Sequence, residues 1–211
     1  MVRVLKAEGE GALAEAVAVL KGGGLVVYPS DTVYGLGAAA SDECAVARAF
    51  AVKGRFTEKA LSLLLADVGD MARLCAEVPA TAKLLAERFW PGPLTLVLRR
   101  SPAFQSAALG GGDNVALRVP DHPFLRDLIR AVGEPITGTS ANRSGRPSCR
   151  TATEVERELG DAIDLIIDGG PSRVGRESTV VDITPDTPKI LRKGAISRRE
   201  IERALGQGVG V

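Results

Sequence analysis

Two short polar runs carry side chains suited to holding phosphate: Lys53-Gly54-Arg55 and Ser140-Ala141-Asn142. Lysine supplies a mobile point charge and arginine a planar fork of donors, while serine and asparagine add neutral hydrogen bonds. Gly54 and Ala141 are small, and alternate residues of an extended loop point the same way, so each run can aim two side chains at one anion. Favourable charge at a helix C-terminus accounts for Lys53 and leaves Arg55 unexplained. As a pair, Lys53 and Arg55 suit a catalytic role, stabilising a pentacovalent phosphorus and a departing pyrophosphate. The chain has no G-x-x-x-x-G-K-[ST] loop. Gly35, Gly37 and Ala40 match G-x-G-x-x-[GA] only formally, because the match begins seven residues after the strand that ends at Tyr28. A nucleotide would therefore be held by side chains.

The elements that must position these residues alternate. Leu13, Ala16, Val17 and Leu20 fall at helical spacing before Gly22-Gly23-Gly24, and a strand follows over Leu25 to Tyr28. Ser41-Asp42-Glu43 supplies a cap and first-turn acids for a helix that ends at Lys53 with Gly54 as its stop. Strands are predicted at 61–65, 94–98, 115–119, 135–140, 165–168, 178–183 and 189–192. Helices are predicted around Met71 to Glu77, Ala80 to Phe89, 123–132, 151–160 and from Ser197 to Leu205, with Asp121 as the cap before Pro123. Interleaved helices and strands, some with connections too short for a helical crossover, predict one α/β domain over residues 1–205 with a mixed sheet. "GQGVGV" has no periodicity, so 206–211 is expected to be a flexible tail.

Five segments leave a strand or helix end for small, polar or basic residues: 28–37, 53–55, 139–148, 175–182 and 191–196. Ligand sites in open α/β sheets gather at such places, so the five are expected to converge on one pocket. Helix caps, solvated charges and turns are the plainer alternative for each.

Composition narrows the classes. The 211 residues are 45% apolar and 25% charged with a formal net charge of +1, a balance that argues against a strong nonspecific polyanion binder. No apolar run approaches the ~20 residues of a membrane span and no signal peptide is evident, so a cytoplasmic location is expected. Three scattered cysteines suggest neither a disulfide framework nor a zinc cluster, and the single histidine, His122, sits among helix-start residues.

"GGLVVYPSDTVYGLG", "KGR", "WPGPLTLVL", "VALRVPDHP", "TSANRSGRPS", "DGG…GRESTVVD" and "ILRKGAI" follow one another as do the motifs of the YrdC-like domain family, whose members are threonylcarbamoyl-AMP synthases. The chain resembles that family from about Leu13 to Ile196. The resemblance implies a twisted sheet of mixed parallel and antiparallel strands, flanked by helices, with a positively charged concave surface. It also implies a nucleotidyltransferase that converts L-threonine, bicarbonate or CO2, and ATP into L-threonylcarbamoyl-AMP and pyrophosphate. Mg2+ would enter with ATP and need few protein ligands. A tRNA threonylcarbamoyl transferase complex would receive the product for threonylcarbamoyladenosine modification of tRNA.

By the same resemblance, Lys53, Arg55, Arg118, Ser140, Asn142, Ser148, Ser178 and Arg192 form the nucleotide site. Tyr28, Ser30, Thr32, Tyr34, Thr139 and Ser178 surround the threonine, with the two tyrosines and the "PSDT" side chains as one wall. Many members carry proline where this chain has Phe56 and Ala60, which implies a less rigid loop here. The chain resembles the short bacterial form, without the extra C-terminal domain of longer members. Two alternatives stand beside this reading: a carbamoyl-adenylate-forming domain of the hydrogenase-maturation type, and a noncatalytic double-stranded RNA-binding module. The near-neutral charge allows weak RNA contact at most.

Overall fold

The computed structural model describes residues 2–210; Met1 and Val211, the ends of the expected domain and tail, lie outside the described residues. In chain order the elements are β1 (Arg3–Lys6), α1 (Ala12–Lys21), β2 (Val26–Tyr28), β3 (Gly35–Gly37), α2 (Glu43–Lys53), β4 (Ser62–Leu64), α3 (Met71–Leu74), α4 (Ala80–Phe89) and β5 (Leu94–Arg99). They continue as β6 (Asn114–Arg118), α5 (Pro123–Val132), β7 (Ile136–Ser140), α6 (Ala152–Glu158), β8 (Leu165–Asp168), β9 (Thr179–Asp182), β10 (Lys189–Arg192) and α7 (Arg198–Leu205). All ten strands join one mixed sheet in the order β1-β8-β2-β3-β7-β4-β6-β5-β9-β10. No helix among the described residues is long and apolar enough to cross a membrane.

Strand register sorts the side chains. Paired residues share a face and successive residues alternate. Leu64 pairs with both Arg118 and Ile136, Ala116 with Val97, Thr95 with Val180, and Val180 with Arg192. On the other side of the sheet Ser140 pairs with Gly35, and Gly35 with Tyr28. These residues therefore lie on one face. At its β1-β8-β2 end that face packs on α1 and α5, through Ala16, Leu20, Leu125 and Leu128 against Val26, Leu165 and Ile167. Beyond β3 it turns polar and open. The opposite face, with Val27, Leu63, Leu96, Leu117, Ile166 and Val181, is packed by α2, α4, α6 and α7.

Local chemistry sets the element ends. The Asp42 carboxylate accepts from Ala45 N–H at 2.9 Å to start α2, and Ser197 and Glu200 form a capping box on α7. Five elements depart from expectation, the first being β1, which lies outside every predicted strand. Helix α3 stops at Leu74 because Cys75 bridges to Arg100. His122, not Asp121, is the N-cap of α5; the Asp121 N–H donates to Asp31 and its carboxylate pairs with Arg173. The formal Gly35-Leu36-Gly37 match forms β3, whose two glycines face the ring of Tyr28. The expected tail is docked through residue 210: Val209 is buried, Gly210 N–H donates to Pro188 O at 2.8 Å, and Ile190 N–H donates to Gly210 O at 3.0 Å.

A Cβ on Gly35 would lie 2.2 Å from Tyr28 Cε2, and one on Gly37 2.7 Å from Cε1. The spacing of the glycines is thus the strand period under an aromatic ring. Gly35→Ala is expected to destabilise the fold by about 2 kcal/mol or more through overpacking, whereas Gly69→Ala, where a Cβ meets nothing within 4 Å, stays within about 1 kcal/mol. Denaturant unfolding of both variants checks this.

Candidate active site

The open part of the sheet face is the floor of a cavity of about 760 Å3, a size that suits small-molecule ligands. Its floor comes from β4, β5, β6, β7 and β9 through Ser62, Leu64, Thr95, Val97, Asn114, Ala116, Gly138 and Val180, and its walls from 28–35, 53–61, 138–146 and 177–192. Among the described residues six basic side chains line it, Lys53, Arg55, Lys59, Arg118, Arg146 and Arg192, against one carboxylate, Glu177.

Helix α2 delivers Lys53. Gly54 follows with φ +57°, and Gly54 N–H donates to Ala51 O and Arg55 N–H to Phe50 O, so the chain turns sharply as the helix ends. Lys53 is buried, and its Nζ donates to Ser140 O at 2.5 Å and Asn142 O at 2.8 Å. An ammonium has three donors, so one remains for a ligand. Ser144 N–H closes the contact by donating to Lys53 O. The K-x-R and S-x-N runs do meet, with backbone carbonyls as well as side chains in the joint. Burial, then the charge of Arg55, push the Lys53 ammonium down to about 8.

Arg55 Nε donates to Lys59 O at 2.9 Å and Nη2 to Ala60 O at 3.0 Å, while Lys59 N–H donates to Phe56 O. The loop expected to be loose for want of prolines is closed by arginine instead. Across the cavity, Arg192 Nε and Nη2 donate to Ser178 O, Nη2 also to Ser178 Oγ, and Nη1 pairs with Glu177 Oε2 at 2.6 Å. Ser178 Oγ lies 2.9 Å from Thr95 Oγ1.

The second wall is built on a buried ion pair. Arg118 Nη2 donates to Asp31 Oδ1 at 2.5 Å, Nη1 to Thr32 Oγ1 at 2.9 Å and Nε to Gly92 O at 2.9 Å, with the Asp31 side chain 1% exposed. Ser30 Oγ bonds Thr32 Oγ1 and donates to Val33 O, completing a small polar corner beside Arg118.

All the sequence-nominated residues except Ser148 line the cavity; Ser148 reaches it only by donating to Glu177 Oε1 at 2.6 Å. Thr139 and Ser140 sit on the rim from β7, and Asn142 donates through Nδ2 to Arg143 O and Arg146 O. Both tyrosines line the cavity beside Ser30 and Thr32. Tyr28 OH donates to Thr137 O at 2.8 Å and Tyr34 OH to Gly170 O at 2.8 Å, so both present ring rather than hydroxyl to the wall. Burial accordingly raises both phenols, Tyr34 to about 12. Sequence reasoning missed Asp31, Glu177, Thr95 and Asn114. Asp31 carried a usable signal, since a carboxylate beside a buried strand end requires a cationic partner. Buried acceptors without a donor, Asn142 Oδ1 and Asn114 Oδ1, mark where ligand donors fit.

Comparison with known proteins places the chain in a family and its fold beside solved structures. The Sua5/YciO/YrdC family model, described as telomere recombination, matches residues 18–194. A threonylcarbamoyl-AMP synthase of Pyrococcus abyssi is 44% identical over 192 residues, 91% of this chain and 56% of that protein. One of Bacillus subtilis is 42% identical over 195 residues, again 92% of this chain and 56% of the relative. The chain thus spans about half the length of these relatives. The crystal structure of P. abyssi Sua5 complexed with L-threonine superposes with a TM-score of 0.94 at 40% identity, covering 100% of this chain and 62% of that one.

Two outcomes follow from the geometry. Asp31→Ala leaves Arg118 as an uncompensated buried charge and is expected to cost about 3–5 kcal/mol in denaturant unfolding, against less than about 1 kcal/mol for Asp121→Ala, whose partner Arg173 is exposed. Tripolyphosphate affinity is expected to fall as the pH rises through about 8, by up to about tenfold per pH unit, because Lys53 loses its charge there, and this fall is expected to vanish in Lys53→Met. Calorimetric titration across pH checks it.

Proposed function

The chain belongs to the Sua5/YciO/YrdC family, and from that membership we propose that it joins L-threonine, bicarbonate or CO2, and ATP into L-threonylcarbamoyl-AMP with release of pyrophosphate. The observation that carries the reading is one cavity lined by two chemically distinct sets of groups: the cations Lys53, Arg55 and Arg192 with Ser178, and the Ser30, Thr32 and Arg118 corner. A triphosphate suits the first set. A small amino acid with a hydroxyl and a carboxylate suits the second, where Arg118 and Thr32 offer a cation and a hydroxyl.

The chemistry follows from that placement. The neutral amine of threonine adds to CO2 and loses a proton to give a carbamate. A carbamate oxygen attacks the α-phosphorus, the bond from that phosphorus to the α,β-bridging oxygen breaks, pyrophosphate leaves with the electron pair, and a mixed anhydride with AMP remains. Lys53 and Arg55 meet the charge that develops on the departing pyrophosphate, and Arg192 and Ser178 orient it. No carboxylate pair is needed when the carbamate is itself the nucleophile. Mg2+ suits this site as an ion carried on the triphosphate, since Glu177, the one lining carboxylate, is already engaged by Ser148 and Arg192. Its contribution would be neutralisation of phosphate charge.

The product is an activated acyl group, so a transferase acting on tRNA in the cytoplasm would consume it. Inward-facing cations favour a small ligand over duplex RNA, and RNA contact by this chain would be weak. Pyrophosphate release is expected to require threonine and bicarbonate together, to be slower with serine or valine, and to fall at least ~100-fold in Lys53→Ala, as for loss of one preorganised charge at a developing anion. Release without any amino acid, or with carbamoyl phosphate in place of threonine and bicarbonate, would replace this reading.

A further inference from the structure

Among the described residues Glu177 is the only carboxylate lining the cavity, and it sits among the cations rather than apart from them. Its Oε1 accepts from Ser148 Oγ at 2.6 Å and its Oε2 pairs with Arg192 Nη1 at 2.6 Å. Its backbone is fixed as well, since Glu177 O accepts from Ala195 N–H at 2.9 Å. Arg192 has its other nitrogens on Ser178, so the face of the guanidinium turned away from Ser178 belongs to Glu177. The carboxylate also acts on the far wall, where its charge favours the protonated forms of Lys53 and Arg55. Both oxygens thus occupy donors, Ser148 Oγ and Arg192 Nη1, of kinds that also bond phosphate.

We propose that Glu177 is a resident anion of the phosphate site: it holds Arg192 and Ser148 in position in the free protein, and phosphate oxygens take its place on those donors when the polyphosphate binds. The inference rests on the reading of this cavity as a polyphosphate site. The arrangement has two consequences. Three like charges, Lys53, Arg55 and Arg192, can be held close together without a ligand, because one opposite charge is built in. Polyphosphate binding is weaker than the same cations would otherwise give, since each binding event exchanges one anion for another, and the returning carboxylate assists release of pyrophosphate.

Glu177→Gln separates charge from shape, because the amide oxygen can still accept from Arg192 while the negative charge is gone. Calorimetric titration with tripolyphosphate, without and with Mg2+, is the direct test, with Asp127→Asn, an equal charge change on the exposed face of α5, as the control. Glu177→Gln is expected to bind about tenfold more tightly in both conditions, the effect of one partly screened charge, with Asp127→Asn within about twofold of wild type. Pyrophosphate is expected to leave the variant correspondingly more slowly. Unchanged affinity, or tightening matched by Asp127→Asn, overturns the inference and leaves the site reading intact. Weaker binding confined to the Mg2+ titration also overturns it and makes Glu177 a metal ligand. If wild type and variant both fail to bind tripolyphosphate, the phosphate reading of the cavity falls, and this inference with it.

Discussion

One face of the ten-stranded sheet is only partly covered, and the site exists because of that gap. Helices α1 and α5 pack on its β1-β8-β2 end, while the strands from β7 to β10 leave their side chains on the same face open. The period of two along each strand then does the sorting. Leu63, Leu96, Leu117 and Val181 point to the packed face; Leu64, Val97, Ala116, Arg118 and Val180 point to the cavity. A slip of one residue in any of these strands would bury Arg118 or Asn114 in the apolar core and expose leucine in the cavity, so register is strongly specified here.

The cavity's electrostatics are arranged with opposite economies at its two ends. At the Arg118 end the charge is neutralised internally by Asp31, deep enough that the pair fixes the Ser30 to Thr32 corner as a rigid wall. At the Lys53 end charge is left in excess and held by backbone carbonyls of Ser140 and Asn142, which accept hydrogen bonds without cancelling it. The first end is suited to shape and polarity, the second to attracting an anion. Arg118 on β6 and Arg192 on β10 are placed by strand geometry, and Lys53 by the end of α2, so the site is preorganised by packed elements.

Much of this was legible in the sequence. Boundaries of α4, α5, β8 and β10 follow from periodicity and turn residues, and the Lys53, Arg55, Ser140 and Asn142 cluster follows from residue type and spacing alone. The strands β1 and β3 were not legible, the first because it is a short edge strand with little burial, the second because glycine has no strand preference and the Tyr28 ring that requires it lies across the sheet. Thr95 was hidden inside the run 94–98, which read as uniform core, and Asn114 lies just before the strand predicted at 115–119. The partners of the tyrosine hydroxyls were not legible for the complementary reason: Thr137 O and Gly170 O are more than a hundred positions away in the chain. Local sequence reports which side chains could do chemistry; only register and long-range contacts report which way they face.

The central claim is that one cavity holds phosphate at the Lys53 end and an amino acid at the Arg118 end. A crystal structure of the protein with a non-hydrolysable ATP analogue and L-threonine tests it most directly. The account predicts phosphate oxygens within hydrogen-bonding distance of Lys53, Arg55, Ser178 and Arg192, with the threonine carboxylate and hydroxyl against Arg118 and Thr32. Nucleotide bound outside the sheet's open face, or threonine lodged among the cations with the phosphates against Arg118, would contradict it.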